Sequence, residues 1–183
     1  MKLSLKIITK DQLIKAWPYF ALSLAIVIFD QWSKFVVVNN FNIGESQGVI
    51  DGFLKFTYVH NKGAAFSFGN TFNDTVRMVI FKILPVIVSL FLVKYILSEK
   101  EHKLMRFAYA LILGGGAGNV IDRIRLDYVV DFISVYHTGI NLGFTKLAPW
   151  YFAIFNIADS AVSIAAALII LDFLLNREKE NKS

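Results

Sequence analysis

An all-α membrane protein of four transmembrane helices, with a small β-containing element at the outer surface, is the fold class this sequence predicts. Three observations carry it. Of the 183 residues, 56% are hydrophobic and 18% are charged, against roughly 45–50% and 25% in soluble domains. Four apolar runs approach the ~20 residues that cross a bilayer as a helix. Between the first two lies a long polar and aromatic segment, about Asn39 to Thr75, with a strand-like core. One membrane domain over 1–183 follows, with spans at about 17–38, 76–97, 104–121 and 153–175 and outer loops at about 39–75 and 122–152.

Met1 to Lys15 carries Lys2, Lys6, Lys10 and Lys15 and leads into the apolar run Trp17 to Val38. No A-x-A-like cleavage site follows, so the run reads as a retained signal anchor. Within it Asp30 and Lys34 lie four apart on one helix face. As residues alone they form a local pair that lowers the insertion cost of both charges. After the span come Gly44, Gly48, Gly52, Gly63 and Gly69 as turn candidates. Phe53 to Val59 alternates aromatic and β-branched residues, which predicts a short strand at the membrane surface. Asn61 and Gly63 follow, at a position suited to a turn in which Asn61 satisfies backbone groups and Gly63 takes an unusual dihedral.

The second span, Val76 to Leu97, contains Arg77 near one end, where it can snorkel outward. Lys82 lies deeper, and Pro85 predicts a kink near the middle. The third span, Leu104 to Ile121, ends in Gly114, Gly115, Gly116, Ala117 and Gly118. No Lys-Ser or Lys-Thr follows, which argues against a phosphate loop, while Gly114 and Gly118 form the GxxxG pattern of close helix packing. Asn119, Asp122 and Arg123 fall at i, i+3 and i+4 near the helix end. An Asp122–arginine pair that caps the helix and a catalytic role are equally compatible with that spacing.

Asp131, set between Val129, Val130, Phe132 and Ile133, is the focus of the chain. A carboxylate in such a setting needs a partner or a proton. Tyr136 to Trp150 reads as loop, and Pro149 to Phe152 as an interfacial aromatic belt ahead of the fourth span, Ala153 to Leu175. Asn156 and Asp159 share one face at its start, and Asp172, near its end beside Arg177, Lys179 and Lys182, reads as solvated. Four spans put both termini on one side. The basic tails and the basic turn around Lys94 to Arg106 assign that side to the cytoplasm, which puts Asn61, Asp131 and Asp159 toward the outer leaflet.

Two acids in an apolar context suit a hydrolase in which one holds a proton while the other stays a base. The alternative is a small polytopic transporter or proton pathway, although the chain shows no internal repeat. His60, His102 and His137 are far apart, no HExxH occurs, and no metal or cofactor is expected. The net charge of +5 does not gather into a patch, so no nucleic acid is expected as a partner. With no cysteine, disulfide and thiolate chemistry are excluded.

Five segments then stand together: DQWSK at Asp30–Lys34, NKGAAFS at Asn61–Ser67, GGGAGNVIDR at Gly114–Arg123, VVDFI at Val129–Ile133 and FNIAD at Phe155–Asp159. In that order the chain resembles the prolipoprotein signal peptidases, or signal peptidase II, aspartyl endopeptidases of bacterial membranes. The resemblance spans nearly the whole chain. It implies a multi-pass protein of the bacterial inner membrane, monomeric, that meets membrane lipids and lipid-modified prolipoproteins and cuts before a diacylglyceryl-bearing cysteine. It implies Asp131 and Asp159 as the catalytic pair. Asp30, Lys34, Asn61, Gly63, Asn119, Asp122, Arg123 and Asn156 are then expected to support the pair or hold substrate backbone.

Overall fold

Thr9 opens the first helix. Its Oγ1 accepts the Gln12 N–H at 3.2 Å while Gln12 Oε1 accepts the Thr9 N–H at 2.9 Å, a reciprocal cap that satisfies donors otherwise left free at a helix start. The computed structural model describes residues 8–63, 69, 71–98, 101–141 and 146–180, and in it this helix, α1, runs Lys10–Asn40. It therefore begins well before the expected boundary at 17, because the capping box lies outside the apolar run that marked the span.

The second span is compound. Asn73 caps α2, Asp74–Met78, by accepting the Val76 N–H at 2.9 Å; a π turn, Val79–Ile83, follows, and α3 runs Leu84–Leu97. Pro85 lacks an N–H, and its ring crowds the preceding turn. The expected disruption appears as that widened turn just before it. Helix α4, Lys103–Leu126, extends past the expected end at 121 and stops where Asp127 turns left-handed, with φ 63°. Asp122 and Arg123 therefore ride on a helix, not in a loop. Helix α5 runs Ile157–Glu180, starting later than the expected 153, because the residues before it are drawn into a sheet. These segments supply four helices long and apolar enough to cross a membrane: Lys10–Asn40, Asp74–Leu97, Lys103–Leu126 and Ile157–Asn176.

The sheet is larger than expected and takes in Asp131 itself. Strands β1, Ser46–Ile50, and β2, Leu54–Asn61, form a hairpin, whose second strand is the one FLKFTYV predicts. Strand β3, Val129–His137, pairs antiparallel with β2, setting Val59 opposite Asp131 and Asn61 opposite Val129. Beyond it, β4, Ile140–Asn141, pairs with β5, Lys146–Leu147, and β6, Trp150–Tyr151, returns to β3, so that the four-stranded order is β1-β2-β3-β6. Much of the stretch expected as loop is thus strand. Phe155 exchanges backbone bonds with Ile133, at 2.7 and 3.1 Å, which carries the chain from the sheet into α5.

Helix α4 packs against α1, α3 and α5. Its glycines make this possible. A Cβ at Gly114 would sit 2.8 Å from the Ser23 carbonyl of α1, and one at Gly115 would overlap the Ala158 carbonyl of α5. Below them Ala108, Leu111, Ala161 and Ala165 close the α4–α5 seam, and Val37, Tyr58, Val130 and Phe132 pack the end of α1 under the sheet. The small-residue stripe acts as expected: it brings the polar residues of three helices within reach of one another.

Candidate active site

Asp30 and Lys34 lie one turn apart on α1, both buried, with Nζ 2.8 Å from Oδ2. They are not only a local pair. Lys34 Nζ is also 2.9 Å from Asp122 Oδ2 and donates to Asn119 Oδ1 at 3.0 Å, so one ammonium gathers three groups across two helices. The Asp122–arginine pair, one of the two readings of that spacing, is absent among the described residues: Asp122 faces Lys34, while Arg123 donates to the Gly63 carbonyl at 2.8 Å and lies over the Phe81 ring. Asp30 Oδ1 accepts the Ala158 N–H at 3.0 Å, at the start of α5, and Asp122 Oδ2 accepts the Val130 N–H at 3.1 Å, at the start of β3. Each carboxylate therefore anchors an element that carries one of the two acids expected to act as a pair: Asp159 is one residue past Ala158, and Asp131 one past Val130.

Asn156 joins those two acids. Its Nδ2 donates to Asp131 Oδ1 at 2.7 Å and to Asn119 Oδ1 at 3.0 Å. Its Oδ1 accepts the Asp159 N–H at 2.9 Å while Asp159 Oδ2 accepts the Asn156 N–H at 3.2 Å. That reciprocal bonding follows the capping-box pattern with Asn and Asp in the two roles, and it fixes Asp159 in the first turn of α5. Asn119 Nδ2 donates to Asp159 Oδ1 at 2.8 Å. Asn61 Oδ1 accepts the Gly63 N–H at 3.0 Å and its Nδ2 donates to Asp131 Oδ2 at 2.9 Å; the unusual dihedral expected at Gly63 is not found, since its φ is not positive.

Asp131 is 1% exposed and Asp159 is half-buried. Burial, reinforced by the charge of Asp159, pushes the Asp131 carboxyl up to about 7, against the opposing pull of the Asn61 and Asn156 amides and of Lys34. Asn61, Asn119, Arg123, Asp131 and Asp159 line one cavity of about 530 Å³ with Ser160 and Ser163, and its wall is otherwise apolar, with Val129, Ile154 and Phe155. The ten residues expected at the site thus meet in one continuous network at the sheet end of the bundle. Ala64 to Ser67 of the NKGAAFS segment lie outside the described residues.

Sequence reasoning missed Gln31, whose Nε2 donates to Asp122 Oδ1 at 2.8 Å and the Gly118 carbonyl at 3.2 Å. Its position beside Asp30 and within DQWSK is the signal that points to it. Arg77 does not simply snorkel outward: its Nη2 donates to the Lys62 carbonyl at 2.6 Å. Asp172 is not merely solvated, since His102 Nε2 lies 3.3 Å from it and Asn176 Nδ2 donates to it at 3.1 Å. The side chains of Arg177, Lys179 and Lys182 lie outside the described residues.

Among the described residues, four apolar helices around a polar network, with two carboxylates lining one cavity, define a polytopic membrane protein as the class. The family described as signal peptidase (SPase) II matches residues 22–175. The lipoprotein signal peptidase of Neisseria gonorrhoeae is 38% identical over 165 residues, covering 90% of this chain and 94% of that protein. That of Coxiella burnetii is 36% identical, covering 88% and 92%. A solved bacterial membrane enzyme, determined by the in meso method at 2.3 Å resolution, superposes with a TM-score of 0.73 at 33% identity, covering 91% of this chain and 92% of that one. A second, at 1.9 Å, gives 0.68 at 31% identity, covering 86% and 92%. The chain belongs to the signal peptidase II family, and it is a membrane protease of lipoprotein processing.

Proposed function

We propose that the chain is an aspartic endopeptidase whose acid pair is Asp131 and Asp159, acting on prolipoproteins that already carry diacylglyceryl on the cysteine and cutting just before it. The observation that carries the aspartyl reading is Asn156, bonded to both carboxylates at the wall of one cavity. Relatives named lipoprotein signal peptidases support the substrate class. An apolar cavity wall beside membrane-length helices suits a lipid-bearing substrate. In this mechanism the ionised member of the pair takes a proton from water as it attacks the scissile carbonyl. The protonated member donates to the carbonyl oxygen, and a proton then passes to the leaving amine. Asn61, Asn119 and Asn156 orient the carboxylates, and Arg123 and Gly63 edge the substrate path. Purified protein should cleave a lipidated precursor peptide and leave its unlipidated twin intact. Cleavage of neither would sink the peptidase reading, and equal cleavage of both would remove the lipid requirement.

The pair needs one proton, and the value of about 7 at Asp131 lets the pair hold it up to about neutral pH. Turnover per folded molecule should fall as pH rises through that value and the shared proton is lost. The same shift means that the folded state binds more protons than the unfolded chain between the ordinary 3.8 and about 7, so this group's contribution makes the fold less stable as pH rises across that window. A rate that stays level well above neutrality would contradict the assignment.

For orientation, the basic residues Lys94, Lys103 and Arg106 around the α3–α4 turn favour both termini in the cytoplasm and the site toward the outer leaflet. A reporter active only outside the cytoplasm should work when fused after Thr75 and fail after Lys100; the reverse would invert the topology. Since the network around Asp131 and Asp159 comes from a single chain, a monomer suffices for activity, and a mild-detergent mass measurement that finds only dimers would oppose this.

A further inference from the structure

A second cavity, of about 440 Å³, adjoins the first and shares Arg123 with it. Lys62, Arg77, Lys82 and Arg123 line it opposite Asp74 and Asp127, which leaves an excess of positive charge. The pairings decide where that excess sits. Lys82 Nζ is 2.6 Å from Asp127 Oδ1 and is neutralised there. Arg123 is held by the Gly63 carbonyl and also lines the first cavity with Asp131 and Asp159. Arg77 reaches Asp74 only at 4.0 Å, and that carboxylate is fully solvated, so the contact offsets little of its charge. Its Nη2 is bonded to the Lys62 carbonyl, and the residue lines the cavity with Lys62. Lys62 is exposed and has no ion pair among the described residues.

The position of the cavity identifies its medium. It lies where the second span begins at Asn73 and α4 ends at Asp127, the depth at which chains leave the hydrocarbon and meet lipid phosphates. Met78 and Phe81 give it an apolar wall, and Met78 is 47% exposed on the membrane-length helix. A free inorganic anion would leave that wall unused. We propose that this cavity binds the phosphate of an anionic phospholipid headgroup, with Arg77 and Lys62 as its ligands and the lipid's glycerol and upper acyl carbons against Met78. An arginine fork matches two phosphate oxygens, and a lysine adds a point charge.

Thermal unfolding of the full chain in a neutral detergent, titrated with short-chain phosphatidylglycerol, tests this. The melting temperature should rise saturably with phosphatidylglycerol. It should not respond to phosphatidylcholine of the same chain length or to glycerol 3-phosphate. Lys62→Gln and Arg77→Gln should each weaken the apparent affinity about fivefold, the worth of one interfacial charge. Lys94→Gln, which removes the same charge from the far end of the second span, should leave the affinity unchanged. An equal rise with phosphatidylcholine, a response to glycerol 3-phosphate in place of the lipid, or unchanged affinity in the Lys62→Gln variant would overturn the proposal. Because affinity is read from the titration midpoint, a lowered starting stability does not obscure the result, and if Arg77→Gln fails to fold the exposed Lys62→Gln variant decides it alone.

Discussion

Asp131→Asn and Asp159→Asn should each abolish nearly all turnover while the protein still folds and inserts. Asn keeps the shape of Asp but can neither take a proton from water nor hand one on, and general acid–base catalysis is worth roughly 100-fold to 10,000-fold. At Asp131 the substitution removes a buried acid whose carboxyl is pushed up to about 7, while its amide can accept from only one of Asn61 and Asn156, so the two effects offset and stability should change little at neutral pH. The two acids share one bridging residue, Asn156, and groups that act as a unit lose activity together. The double substitution should therefore be scarcely worse than either single one. Asp172→Asn, at the opposite end of α5 and bonded to His102 and Asn176, should stay close to the parent rate. Cleavage per folded molecule, measured for all four variants in one lipid or detergent, checks this. Substantial turnover by either dyad variant would break the assignment, and equal damage from Asp172→Asn would show the site to be misplaced.

Lys34→Met should cost stability on the order of 3–5 kcal/mol, the usual penalty for leaving a buried charge without its partner. Lys34 is 3% exposed, and it stands between Asp30 at 2.8 Å and Asp122 at 2.9 Å. Without the ammonium those carboxylates face each other in a dry interior, so both their grip on Ala158 and their grip on Val130 weaken. Turnover should fall as well. The Lys34 and Asn156 bonds to Asn119 Oδ1 together orient that amide so that its Nδ2 meets Asp159; a methionine removes one of the two. Asp30→Asn placed in the Lys34→Met background should recover part of the lost stability, because it removes one of the stranded charges. Unfolding of the four members of this cycle gives the coupling directly. Additive losses with no recovery would mean that the two side chains are not joined as the geometry has them.

Much of this protein is written in local pattern. Apolar runs of bilayer length, the Gly114–Gly118 stripe and the alternation in Phe53 to Val59 depend on near neighbours alone, so the four spans, the close packing of α4 and strand β2 are legible in the residues themselves. The resemblance added which polar residues belong together. What could not be read were the boundaries and the partners. Helix α1 starts at a polar capping box outside its apolar run, and α4 continues through Asp122 and Arg123 until Asp127 turns left-handed. Strand β3 shows no alternation, since Val129, Val130, Asp131 and Phe132 are all buried; with both faces covered, period two vanishes from the sequence. Helical spacing puts Lys34 beside Asp30, its neighbour on the helix, but says nothing of Asp122. A helix face determines which residues share a side, whereas the partner across it is chosen by how closely the glycines of α4 let α1 and α5 approach, and that distance exists only in the folded chain.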